Sequence, residues 1–84
     1  SGAGARDAAR RFLSDALSIA RERGMRPLEA KVLLALGQLD RSAGAYAPAA
    51  QHLGAARTLA QALAMPYWSA RIDEELQLLG ASAR

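Results

Sequence analysis

Apolar residues recur along the chain at steps of three and four, the spacing of one helical face. Ala5, Ala9, Phe12, Leu13, Ala16 and Ala20 form the first stripe, with Asp7, Arg11, Asp15, Ser18 and Glu22 on the opposite side. Gly24 suits the left-handed position that ends a helix, and Pro27 suits the first turn of the next. Val32, Leu33, Leu36 and Leu39 form a second stripe that Gly44 closes. Ala49, Leu53, Ala56, Ala60 and Leu63 form a third, and Ile72, Leu76 and Leu79, between Pro66 and Gly80, a fourth. The pattern predicts helices at about 5–23, 27–43, 46–64 and 66–79. Connections of about two to four residues force neighbouring helices to run antiparallel.

The pattern also repeats. Shifted by 40 positions against itself, the chain places Gly4-Ala5 on Gly44-Ala45, and Ala9, Leu13, Ala16 and Ala20 on Ala49, Leu53, Ala56 and Ala60. Met25 falls on Met65, Ala30 on Ala70, Leu36 on Leu76 and Leu39 on Leu79. With Ala3/Ala43, Ala5/Ala45, Ser42/Ser82 and Ala43/Ala83 included, 13 of 44 overlapping positions are identical, without a gap. A fixed period of this length marks a stacked helical array. The predicted fold is therefore all-α, with four helices in antiparallel hairpins making about two repeats of one domain, 1–84.

Gly37 is the anomaly in this pattern, because glycine inside a helix costs about 1 kcal/mol relative to alanine. A close helix crossing explains it: Gly37 and Ala49 lack bulk where two backbones approach. Leu33 and Leu36-Gly37, then the turn at Gly44, the aromatic Tyr46, and Ala49, Leu53 and Ala56 together resemble a tetratricopeptide (TPR) repeat. Asp40 departs from that family, which usually has an aromatic there, and the period is 40 rather than the family's 34. The longer form, followed by ALAMPYWSARIDEELQLLG, is similar to the arrays of MalT-like, LuxR-type ATP-dependent transcription activators and of multidomain adenylate and guanylate cyclases. The resemblance implies a bacterial, cytoplasmic signalling or transcription-regulatory protein whose array binds a protein or peptide partner. Its register places Lys31, Leu34, Ala35, Gln38 and Arg41, with Arg71, Glu74, Glu75 and Leu78, on a concave partner-binding face. With residues 27–64 as one hairpin, the helix order is B-A-B-A, the order of a segment or C-terminal end of a longer array.

Composition narrows the chemistry. The chain has 21 Ala and 13 Leu but only Ile19, Val32, Thr58 and Ile72 as β-branched residues, which argues against a sheet. It has no Cys, so disulfides and thiolate metal sites are excluded, in keeping with a reducing cytoplasm. No apolar run approaches the ~20 residues of a membrane span. His52, the only histidine, reads as a packing or surface residue, and Asp73-Glu74-Glu75 as a solvated face, because consecutive helical residues point apart. No nucleophile stands with a base and no glycine-rich loop follows a strand, so the reading is a non-enzyme without cofactor or metal.

Net charge is +3, with seven basic and four acidic residues over 1–31 and four of each over 32–84. Nucleic-acid binding through Arg6, Arg10, Arg21, Arg23 and Arg26 is a weaker alternative, since acids interrupt the stripe. Tyr67-Trp68 is expected to seal the junction of the third and fourth helices. The first helix offers Phe12, Leu17 and Ile19, and the fourth Trp68, Ile72, Leu76, Leu78 and Leu79. Two inner helices cannot cover all of these, so homo-oligomerisation, or contact with adjacent repeats, is expected through the end helices.

Overall fold

The computed structural model describes residues 2–82. Ser1, Ala83 and Arg84 lie outside the described residues, and with them the Ala43/Ala83 match and the two ends of the 1–84 span. Four helices follow one another: α1 (Gly2–Glu22), α2 (Arg26–Ser42), α3 (Tyr46–Ala62) and α4 (Pro66–Ser82), with no strand among the described residues. The fold is all-α, built of antiparallel helical hairpins. Three boundaries differ from expectation by more than one residue. Helix α1 begins at Gly2, α3 stops two residues early, and α4 runs through Gly80.

The reason for the early stop is a turn repeated three times. Gly24, Gly44 and Ala64 all have positive φ, at 65°, 77° and 54°. At each turn the next residue's N–H reaches back five positions, from Met25 to the Ala20 carbonyl (2.8 Å), Ala45 to Asp40 (2.8 Å) and Met65 to Ala60 (2.9 Å). The left-handed residue itself donates to Arg21, Arg41 and Gln61 respectively. These paired bonds are the Schellman motif, which satisfies carbonyls orphaned at the helix end. Alanine occupies the third left-handed position despite a cost of about 1–2 kcal/mol for an L-residue. The structural unit is thus a helix plus a turn of 20 residues, and the 40-residue repeat contains two of them.

Helix α2 sits at the centre, touching α1, α3 and α4, and it packs most extensively against α3. Ala30, Val32, Leu33, Leu34, Leu36, Gly37 and Asp40 are all buried on it. Leu33 and Leu34 join Ala49, Leu53, Ala56 and Ala60 of α3 and Ile72 and Leu79 of α4 in one core cluster, with Leu17, Met65, Trp68 and Leu76 packed around it. A Cβ at Gly37 would lie 2.5 Å from both Cγ and Cδ2 of Leu53. Leu53 is fully buried and has nowhere to move. Gly37 thus makes room for the Leu53 side chain, whereas the sequence alone points to two backbones approaching at Gly37 and Ala49.

Helix α1 is the exception to the inward-stripe expectation. Only its Ala20 is fully buried, and Phe12, read as inward-facing, is 72% exposed. The first helix packs on α2 alone, so a residue on its far side has no neighbour.

Asp40 is fully buried, the one charged residue so placed among the described residues. Arg10 Nη1 of α1 donates to its Oδ1 at 2.6 Å, and His52 Nδ1 of α3 lies 2.6 Å from its Oδ2. Arg10 and His52 keep 40% and 31% of their side chains exposed, so each reaches inward from the surface. No buried side-chain N or O lacks a hydrogen-bond partner among the described residues.

Two stability outcomes follow from these contacts. Gly37→Ala gains about 1 kcal/mol in helix propensity but overpacks a closed site, at about 1–3 kcal/mol. The expected net result in urea unfolding is no gain, with a loss of up to about 2 kcal/mol. For Asp40, direction matters more than charge count. Removing the buried acid leaves Arg10 and His52, which are partly exposed and can turn to water, and alanine is already the residue at positions 20 and 60. Asp40→Ala should therefore cost under about 2 kcal/mol, whereas Arg10→Met with His52→Leu strands a buried carboxylate and should cost about 3–5 kcal/mol.

Candidate partner-binding face

Helices α2 and α4 both run antiparallel to α3 and so lie parallel to each other, in contact along one side. Three links join them. The Lys31 ammonium lies 5.1 Å from the Trp68 ring centroid. Gln38 Nε2 donates to Glu75 Oε1 at 3.2 Å, and Arg41 Nε donates to Glu75 Oε2 at 2.9 Å. The Lys31–Trp68 and Gln38–Glu75 links each span 37 positions, so they describe one register of α4 on α2. Of the residues expected on a concave face, Lys31, Gln38, Arg41 and Glu75 are brought together here.

The remaining expected residues are placed differently. Leu34 does not line the face; it is 3% exposed and belongs to the core cluster with Ile72 and Leu79. Register alone put it at the surface, but α4 lies over that side of α2. Ala35 is half-buried, Glu74 is exposed, and Leu78 is 49% exposed. Arg71 does not pair with Glu75, whose carboxylate is taken by α2; its Nη1 donates to the Tyr67 hydroxyl at 3.1 Å. That hydrogen bond, and the charge of the phenolic group, hold the Arg71 guanidinium above its ordinary value.

The aromatic pair also divides. Trp68 is half-buried against the core and carries Lys31 on its ring, so it seals α4 onto α2 as well as capping the α3–α4 corner. Tyr67 meets Trp68 edge-on at 5.2 Å and 88° and is largely exposed. Trp68 is the residue that register missed, and its indole was the available signal.

The basic residues of the first segment are partly consumed within the fold. Arg10 is held by Asp40, and Arg21 Nε donates to Glu29 at 3.1 Å. Arg6, Arg23 and Arg26 remain exposed. Arg21, Arg26 and Glu29 edge an open groove of about 320 Å³, with Leu33, Leu59 and Ala62 on its apolar side. The acidic run 73–75 is likewise dispersed: Asp73 accepts from Arg57 Nε at 2.8 Å and Glu75 faces α2. Among the described residues no group of three His, Asp or Glu side chains could hold a metal ion. Among the described residues no helix is long and apolar enough to cross a membrane.

Comparison with family models, curated proteins and solved structures finds no match.

The α2–α4 links predict a contrast between neighbouring acids. Glu75→Ala breaks two part-buried hydrogen bonds and should cost about 1–3 kcal/mol. Glu74→Ala at the exposed neighbouring position should stay within about 0.5 kcal/mol. Urea unfolding of the two variants measures the difference.

Proposed function

We propose that this chain is a TPR-like protein-interaction scaffold, without catalytic activity, that works in the cytoplasm as part of a bacterial signalling or transcription-regulatory protein. The observation that carries this reading is the shared α2–α4 face. Two parallel helices are held in fixed register by Lys31–Trp68 and by Glu75 with Gln38 and Arg41. They leave Leu78, Glu74 and the Lys31 head group open beside the half-buried Arg71. A mixed-charge surface with an exposed leucine suits a peptide or protein segment better than a small molecule, which needs an enclosed pocket. The resemblance of Leu36-Gly37, Gly44, Tyr46 and Ala49 to the TPR motif supports the same reading.

Nucleic-acid binding is the weaker reading. Arg10 and Arg21 are engaged by carboxylates, and the three remaining arginines have acids near them in sequence, so few phosphate contacts are available.

Selection of a displayed peptide library against the full chain tests the proposal. The expected result is peptides that bind at micromolar Kd and weaken at least ~10-fold with Leu78→Glu or Lys31→Glu. No enrichment, or peptides whose binding ignores both substitutions, would overturn it.

A further inference from the structure

The internal repeat specifies what belongs on the open side of α1. Two positions tie α3 to α2, His52 meeting Asp40 and Leu53 filling the space beside Gly37, and a third, Leu59, lines an open groove together with Leu33. Forty positions earlier stand Phe12, Leu13 and Ile19. Phe12 and Ile19 are 72% and 47% exposed, and Leu13 is only half-buried. The apolar residues left open on α1 are thus the counterparts of those that α2 covers on α3.

The start of α1 carries a second sign. Helix α1 has 21 residues where each of the others has 17. The four additional residues, Gly2-Ala3-Gly4-Ala5, align with Ser42-Ala43-Gly44-Ala45, which end α2 and form the turn into α3. Gly4 stands where Gly44 adopts its left-handed φ of 77°. A turn sequence is therefore wound as helix in this structure.

We propose that the open face of α1 is a docking surface for one amphipathic helix of α2's type, packed antiparallel to α1 and joined to it through Ala3-Gly4-Ala5 as a Schellman turn. The matching chemistry is specific. The docking helix needs an apolar residue over Ile19, a glycine or other small residue over Leu13, and an uncharged residue over Phe12, which, unlike His52, cannot partner a buried acid. A second copy's α4 does not meet it. At the positions of Leu33, Gly37 and Asp40, α4 has Asp73, Gln77 and Gly80. Asp73 is bonded to Arg57, and Gln77 places a side chain where the crossing requires none.

The test extends the full chain by a copy of residues 26–41, placed directly before Gly2, with Asp40→Ala in the added copy only. Thermal unfolding by circular dichroism compares it with the natural chain and with the same extension carrying Leu33→Gln and Leu36→Gln in the copy. The proposal expects the apolar extension to raise Tm by at least ~5 °C and the polar control to leave it within ~2 °C. Gly4→Ala supplies an independent reading of the turn. It should raise Tm in the natural chain, where residue 4 is helical, and lower it in the extended chain, where residue 4 becomes left-handed. Equal effects of the two extensions, or the same sign of Gly4→Ala in both chains, would overturn the proposal. So would a natural chain that dimerises in sedimentation, loses the dimer with Phe12→Glu and gains nothing from the extension. That result assigns the face to a second copy.

Discussion

Each of the first three helices ends with a backbone hydrogen bond that runs five residues back to a position with no exposed surface. Ala20, Asp40 and Ala60 are those positions, and the packing of the helices depends on them. The turn that follows must be left-handed to bring its N–H round, so turn geometry and core position are coupled. At Ala20 and Ala60 the small side chain fits without further demands. At Asp40 the same geometry places a carboxylate where water is excluded. Desolvating an unpartnered charge costs far more than a small domain's margin of stability. Arg10 and His52 offset that cost, one from each adjacent helix. Both oxygens are satisfied only when α1, α2 and α3 hold this register, so the acid ties three helices together.

From this arrangement follows an uneven distribution of packing. Helix α2 is surrounded, and its crossing with α3 is the tightest because Gly37 admits Leu53. Helix α4 is fastened to α2 partly by polar and cation–π links, and α1 contributes one fully buried residue. Opening should therefore begin at the two end helices and reach the α2–α3 hairpin last.

Much of this was legible in the sequence. Periodic leucines and alanines locate the four helices, Gly24, Gly44 and Pro66 mark ends, and Gly37 announces a close crossing. Ala64 was not legible as a turn, because alanine carries no left-handed preference and only the 20-residue spacing to Gly24 and Gly44 identifies it. Register placed Lys31, Gln38, Arg41 and Glu75 on one side, where they take part in the α2–α4 links, but it misplaced Leu34 because a helix flanked by three others has little free surface. The Arg10–Asp40–His52 cluster was hidden for a different reason. Its members lie 30 and 12 positions apart on three helices, and no periodicity within one helix relates them. His52 reads as an isolated histidine until α2 is placed beside α3.

Native-state hydrogen exchange of individual amides tests the coupling of turns and core most directly. The Ala45 amide lies at a turn, three residues beyond the end of α2 by sequence, yet it donates to the carbonyl of buried Asp40 at 2.8 Å. The account predicts that it exchanges only through global unfolding, as slowly as Leu53 at the centre of α3. It also predicts that Met25 and Met65 are protected, though less strongly, because their turns join the outer helices. An Ala45 amide that exchanges as fast as an ordinary exposed loop would contradict the account, since the turn would then not be fixed to the core it is said to position.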